Sequence, residues 1–153
     1  MIEKFKDGET VQDYRRQRRL ERRTAELQVK RDLRVRDGIG CRWPGCAFWK
    51  HGYRVEGAHL SDKGMGGDPT LLRTTLDQMM RLCVRHHQGP WSLHSGDIRV
   101  VYLTERKANG PCQFEEHDPK APYGWRVVGV EDDFTFRSRH NPAAEDTDGG
   151  DEY

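Results

Sequence analysis

The segment RLCVRHHQGPWSLHSGD, residues 81–97, concentrates metal-ligating side chains in a short stretch. Cys83 is followed three residues later by the adjacent pair His86 and His87, and His94 comes seven residues after the second histidine. A single histidine here would need no explanation, but thiolate and imidazole groups at such close spacing are the ligands that zinc prefers. The stretch therefore predicts at least one metal site.

A second pair of ligands lies upstream, where Cys41 and Cys46 flank the turn RWPG. A tight turn brings two such side chains to one point, so each pair can hold one side of a tetrahedral zinc ion. One structural zinc is therefore predicted, with the ligands Cys41, Cys46, Cys83 and His86. Two alternatives stay open, namely a redox pair or disulfide between Cys41 and Cys46, and cysteines that are simply buried.

The bulk composition indicates one small domain with little apolar core. The chain has 153 residues, of which 34% are hydrophobic and 33% are charged, and a domain so poor in core gains stability from a metal. Residues 1–36 hold 12 Lys/Arg and 7 Asp/Glu, a balance of +5, whereas residues 131–153 hold 2 and 8, a balance of −6. The basic end predicts a phosphate-binding arm, and the near-neutral total does not exclude nucleic acid as a partner.

The sequence contains no segment that predicts membrane insertion or secretion. No apolar run approaches the ~18–20 residues of a membrane span, and the first residues, MIEKFKDGET, lack the apolar stretch of a secretory signal. We therefore expect a cytoplasmic protein without a membrane partner, in which the four cysteines are reduced. Cys112 stands apart from the other three and is expected to be a core or half-buried thiol.

Hydrophobic periodicity and turn residues predict a mixed chain of helices and strands. Residues 10–36 contain no Gly or Pro and predict one helix, with Thr10 and Asp13 as a weak capping pair. Residues 71–88 are ambiguous, with a helix expected to begin near Cys83. The other predicted elements are strands at 53–60, 97–103, 112–117 and 124–132, a glycine-rich loop at 61–70, and a disordered segment from residue 138.

The order of these features resembles the HNH endonuclease superfamily in its zinc-ribbon, ββα-metal form. The order consists of a cysteine pair, a strand that ends in His59, a glycine-rich loop and the motif LCxxHH, and it covers about residues 38–100. The segment EGAHLSDKGMGGDPTLLRTTLDQMMRLCVRHHQGPWSLHSGDIRV, residues 56–100, especially resembles small HNH proteins encoded by bacteriophages and prophages. The resemblance implies a small ββα-metal core, and with the predicted zinc knuckle, N-terminal basic helix and C-terminal β-strands the expected fold class is α+β. The expected divisions are a basic helical arm (1–36), the HNH domain with its structural zinc (37–100), a β-strand extension (101–137) and a disordered acidic tail (138–153).

The resemblance also implies roles for three histidines. His59 matches the general base that activates water, and His87 matches the helix histidine that binds a catalytic metal. His94 is a candidate second metal ligand or phosphate contact. A single Mg²⁺, Mn²⁺, Ni²⁺ or Zn²⁺ would stabilise the developing charge at the phosphate, and histidine ligands admit transition metals.

The chain departs from the family pattern at two positions. The residue before the catalytic histidine is often a metal-binding Asp or His, but here it is Ala58. Glu56 is the nearest carboxylate that could replace it as a ligand of the catalytic metal. The family's central Asn orients the catalytic histidine, and the matching position holds Gln78 beside Asp77.

Two functions follow from these features. The first is a metal-dependent DNA endonuclease that hydrolyses phosphodiester bonds, located in the host-cell cytoplasm if phage-encoded, with a homodimer or a phage protein as a possible partner. The second is a non-catalytic zinc-ribbon DNA-binding or adaptor protein, a degenerate HNH domain. The basic helix is either a DNA-contacting element or a solvated helix with i,i+4 ion pairs, and both can hold together. The predicted DNA-binding residues are Arg15, Arg16, Arg18, Arg19, Arg22, Arg23, Lys63 and Arg85.

Overall fold

The computed structural model describes Gly8 and residues 10–61 and 71–133 of the chain. The chain is an α+β protein, as predicted, with two small antiparallel sheets. The strand order is β1–β2 in the first sheet and β3–β4–β5 in the second. The elements are α1 (Val11–Asp37), β1 (Val55–His59), β2 (Met79–Cys83), α2 (Val84–Gln88), β3 (Ile98–Tyr102), β4 (Cys112–His117) and β5 (Trp125–Val130). Four short 3-10 turns connect them, at residues 48–51, 76–78, 107–109 and 122–124.

Helix α1 begins at a capping box, as predicted from Thr10 and Asp13. The Asp13 amide donates to Thr10 Oγ1 at 3.1 Å, and the Thr10 amide donates to the Asp13 carboxylate at 3.1 Å. These two bonds satisfy backbone donors that the helix leaves without an internal acceptor. The helix ends at Asp37, and its capping residue Gly38 has a φ of 78°, a conformation that few other residues adopt readily.

The last turns of α1 are fixed to the first sheet. Leu33 is 1% exposed, and a Cβ added at Gly57 of β1 would lie 3.0 Å from its Cδ1. Arg36 donates to the carbonyl of Met79 at 2.6 Å. The absence of a side chain at position 57 thus lets the helix approach the strand closely.

One apolar cluster joins the two sheets beneath the cysteine turn. Its buried members are Trp43, Ala58, Met80, Leu82, Ile98, Cys112 and Phe114. Ala58 is fully buried in this cluster, so the side chain at that position points into the core. A carboxylate there would lose its hydration without a polar partner among these residues, which makes alanine the physically favourable choice.

The ambiguous segment 71–88 contains a strand that the sequence pattern did not predict. Strand β2 pairs with β1 in register from Val55 opposite Cys83 to His59 opposite Met79. The helix expected to begin near Cys83 begins at Val84 and is only five residues long. Four of the five β2 residues are buried, so the strand lacks the alternation that identifies a half-exposed strand.

Three predictions lie outside the described residues. They concern Lys63, most of the glycine-rich loop (62–70) and the acidic tail (138–153). Within the residues that are described, no helix combines the length and the apolar character that crossing a bilayer requires.

Candidate metal centre and candidate active site

The four predicted zinc ligands converge on one point. The ligand atoms of Cys41, Cys46, Cys83 and His86 all lie within 4.8 Å of one another. His86 Nδ1 is 3.5 Å from Cys41 Sγ and 3.2 Å from Cys83 Sγ, and the sulfurs of Cys46 and Cys83 are 3.8 Å apart. Ordinary zinc bond lengths in a tetrahedron give sulfur pairs about 3.8 Å apart and sulfur–nitrogen pairs about 3.6 Å apart. The cluster therefore has the dimensions of a closed tetrahedral metal site such as zinc occupies.

Local backbone geometry brings these ligands together. Cys46 donates its amide to the Trp43 carbonyl at 3.2 Å, and Gly45 has a φ of 68°, which closes the turn after Cys41. Cys83 ends β2 and His86 lies in the first turn of α2, so the strand–helix junction presents both side chains to the turn. All four cysteines of the chain are free thiols in this structure.

Two aromatic rings pack against the His86 side of the cluster. The Trp43 ring stacks on the His86 ring with 5.2 Å between their centroids. The centroid of the Phe48 ring lies 5.7 Å from that of His86. Burial, helped by the positive charge of Arg85, lowers the pKa of His86 to about 4, so the imidazole is neutral at pH 7. Burial also raises the pKa of the Cys41 thiol, which makes a positive ion the natural means of holding its thiolate in this position.

A cleft next to this cluster collects His59, His87 and His94, the three histidines to which the HNH resemblance assigns roles. The cleft has a volume of about 730 Å³. Strand β1 ends in it, α1 forms one wall, and the loop after α2 forms another. The polar lining residues are Glu26, Lys30, His59, Ser61, Thr74, His87 and His94.

Glu56 holds the His87 ring in a fixed orientation. The buried His87 places its Nδ1 2.7 Å from Glu56 Oε2, and Gln88 Nε2 donates to the same oxygen at 2.7 Å. Burial alone would raise the pKa of Glu56, but the hydrogen bonds from His87 and Arg54 outweigh it and lower the pKa below its ordinary value. An ionised Glu56 favours the tautomer with the proton on Nδ1, which puts the lone pair of His87 on Nε2. Glu56, predicted as a ligand of a catalytic metal, thus contacts the histidine itself.

His59 meets a hydroxyl that the sequence interpretation did not identify. Its Nε2 lies 3.0 Å from Thr74 Oγ1, whereas Gln78, predicted to orient His59, donates to the Leu72 carbonyl at 3.3 Å. A ring that donates Nε2–H to the hydroxyl carries its lone pair on Nδ1, where it can accept a proton from water. Thr74 lies 15 residues from His59 in the sequence, and no spacing rule connects the two.

The loop after α2 folds back and brings His94 next to His87. The amide of His94 donates to the His87 carbonyl at 3.1 Å, and the amide of Leu93 donates to the His86 carbonyl at 2.8 Å. The centroids of the His87 and His94 rings lie 4.7 Å apart, and the planes of the two rings are inclined at 62°. These backbone bonds decide an orientation that the seven-residue spacing left open.

The predicted DNA-binding arginines of α1 are all exposed. They are Arg15, Arg16, Arg18, Arg19, Arg22 and Arg23. Arg18 pairs with Glu21 at 3.8 Å and Arg22 with Glu26 at 3.3 Å, so the interpretation as a solvated helix with ion pairs also holds in part. Arg85, the remaining described member of the predicted set, lies over the Phe48 ring at 4.5 Å, on the outer side of the cysteine cluster.

Among the residues that the structure describes, the Cys3His cluster is the one group of three or more Cys, His, Asp or Glu whose ligand atoms converge closely enough for a metal. His59, His87 and His94 share the cleft without forming a second such group. No protein-family model matches the sequence, and neither a search of curated proteins nor one of solved structures found a similar chain.

Proposed function

We propose that this protein is a metal-dependent DNA endonuclease of the HNH type, which hydrolyses phosphodiester bonds. The observation that supports this function best is the cleft in which His59, His87 and His94 lie together beside the Cys3His cluster. The cleft is built on two antiparallel strands followed by a short helix, which is the order that the HNH resemblance implies.

In the proposed reaction, His59 is the general base. Its Nε2 is held by Thr74, and its Nδ1 takes a proton from the water molecule that attacks the phosphate. His87 Nε2, oriented by Glu56, and His94 would hold one divalent ion, namely Mg²⁺, Mn²⁺, Ni²⁺ or Zn²⁺. Such an ion supplies charge stabilisation for the phosphate oxygens and for the leaving oxygen. The Cys3His cluster holds a separate, structural zinc in this proposal.

The proposed substrate is DNA, bound mainly through its phosphates. The exposed arginines of α1 and Arg85 supply positive charge without a fixed set of base contacts, so affinity should fall steeply as salt increases. One cleft accounts for cleavage of one strand. A homodimer or a phage-encoded partner in the host cytoplasm would bring a second cleft to the other strand.

A plasmid-nicking assay tests the proposal. Supercoiled plasmid is incubated with the zinc-loaded wild type, His59→Ala or His87→Ala, with added Mg²⁺ or Mn²⁺ or with EDTA. His51→Ala is the matched control, because His51 is an exposed histidine on the 3-10 turn of residues 48–51, apart from the cleft. We expect metal-dependent nicking by wild type and control, and loss of nicking in the two cleft variants. Equal nicking by His59→Ala and wild type would refute the assignment of the base.

A non-catalytic zinc-ribbon DNA-binding or adaptor protein is the second candidate function. It is favoured by Ala58, which lies in the core where the family often has a metal ligand, and by the single converging metal group among the described residues. This function predicts that the zinc-loaded wild type shifts DNA in a gel but nicks no plasmid with any of the four metals.

A further inference from the structure

Helix α1 contributes directly to the histidine cleft. Glu26, Lys30 and Leu33 follow the i, i+4, i+7 spacing of one helix face. Leu33 at the end of this face is seated against Gly57 of β1, and Glu26 and Lys30 line the cleft together with His59 and His87. The basic helix is therefore a wall of the candidate active site as well as an arm that extends from it.

The two charged residues on this wall differ in their electrostatic state. Glu26 accepts a bond from Arg22 Nε at 3.3 Å, which offsets its negative charge. Lys30 is exposed, and within the described residues it forms no ion pair. Lys30 therefore presents a positive charge to the cleft that bound phosphate can match.

The length of α1 suits a duplex that approaches along it. Its 27 residues span about 40 Å, slightly more than the ~34 Å of one turn of B-DNA. The six predicted DNA-binding arginines of α1 lie between residues 15 and 23, and Lys30 lies between them and the docked end of the helix. A phosphate backbone that follows the arginines along the helix thus reaches Lys30 where it enters the cleft.

We propose that Lys30 binds the DNA phosphate at the reacting bond and so sets the position of the scissile phosphate between α1 and His59. This inference rests on the proposed nuclease function and adds to it a substrate contact outside the ββα segment. A lysine ammonium on a long flexible side chain can reach a phosphate oxygen without the fixed geometry that a bidentate arginine requires.

The test compares Lys30→Met and Lys30→Arg with Arg31→Met. Arg31 is an exposed neighbour on α1 that does not line the cleft, so its substitution changes the net charge of the helix equally. Single-turnover cleavage of plasmid is measured at saturating protein with Mg²⁺ or Mn²⁺. The dissociation constant for a duplex is measured at several salt concentrations without these metals.

We expect the cleavage rate to fall in Lys30→Met but not in the two comparison variants. Its single-turnover rate falls about 10- to 100-fold, the range for a lost hydrogen bond to a charged group. Lys30→Arg, which keeps the charge, and Arg31→Met both stay within about threefold of wild type. Equal rates for Lys30→Met and Arg31→Met would overturn the proposal, because long-range charge alone would then account for the effect.

Failure of the nuclease function gives a different pattern. If the wild type fails to cleave DNA with every metal tested, the proposed nuclease function is wrong. The role of Lys30 is then decided by the measurements of DNA binding alone. If Lys30 contacts a phosphate, its replacement by Met removes that contact. The negative slope of log affinity against log salt should then be shallower by about 0.9 in Lys30→Met than in Arg31→Met. Equal slopes in the two variants would refute the contact.

Discussion

Replacing Arg42 with Met should destabilise the protein strongly, although Arg42 lies in the turn RWPG between two zinc ligands. Arg42 is 1% exposed, and all five of its N–H groups have acceptors. Its Nε and Nη2 donate to Glu131 at 3.2 and 3.0 Å, and Nη1 donates to Asp37 at 3.2 Å. The carbonyls of Ala108 and Gly110 accept the other two bonds at 2.7 and 2.8 Å.

The size of the effect follows from what Arg42→Met leaves behind. Burial by itself would lower the pKa of Arg42, but the carboxylates of Asp37 and Glu131 outweigh it, so the guanidinium is charged. Asp37 keeps its bonds to Arg36 at 2.7 and 2.8 Å, whereas Glu131 loses both guanidinium bonds inside the protein. Breaking a buried pair in this way costs about 3–5 kcal/mol, which corresponds to a fall in Tm of about 6–20 °C for a chain of this size.

Thermal and urea unfolding of the zinc-loaded protein measure this cost. Arg106→Met is the matched control, because Arg106 and its partner Asp133 are 49% and 64% exposed and such surface pairs contribute about 0–1 kcal/mol. The double variant Arg42→Met/Glu131→Gln should regain part of the loss, because it removes the buried carboxylate charge that the Arg42 guanidinium balances in the wild type. A loss of less than about 1 kcal/mol in Arg42→Met, equal to that of the control, would refute the reasoning.

Three further predictions concern the metal centre and the cleft. Cys46→Ala should abolish stoichiometric zinc binding and unfold the protein, because structural zinc contributes about 10–16 kcal/mol against a typical total stability of about 5–15 kcal/mol. Cys112→Ala, which removes a buried thiol outside the cluster, should keep the zinc, as measured by elemental analysis with circular dichroism. Gly129→Ala should lower the free energy of unfolding by about 1–3 kcal/mol, because its Cβ would lie 2.5 Å from Pro44 Cγ; an unchanged urea midpoint would contradict this contact. Thr74→Val should lower the nicking rate about tenfold at constant KM, because His59 loses the hydroxyl that orients its ring; an unchanged rate would exclude Thr74 as a positioning residue.

Local sequence determined the features that depend on neighbouring residues. The capping pair of Thr10 and Asp13 and a stretch free of Gly and Pro were enough to predict α1. The zinc ligands were identified because each pair is only a few residues apart, so a turn or one helical turn brings its members together whatever the rest of the chain does. Strands β3, β4 and β5 were predicted near their observed bounds from their β-branched and aromatic residues and the turns between them.

Tertiary structure alone decided the contacts between distant residues. Strand β2 is buried on both faces between α1 and the core, so it lacks the alternation that marks a half-exposed strand. In the sequence, Arg42 has the position of an ordinary turn residue. Only the approach of Glu131, 89 residues away, makes it a buried charge with a full set of partners. The pairing of His59 with Thr74 and the entry of Lys30 into the cleft likewise arise from packing. Sequence spacing carries information about local geometry, but it carries none about which distant surfaces meet when a hydrophobic core forms, and here that packing assembled the candidate active site.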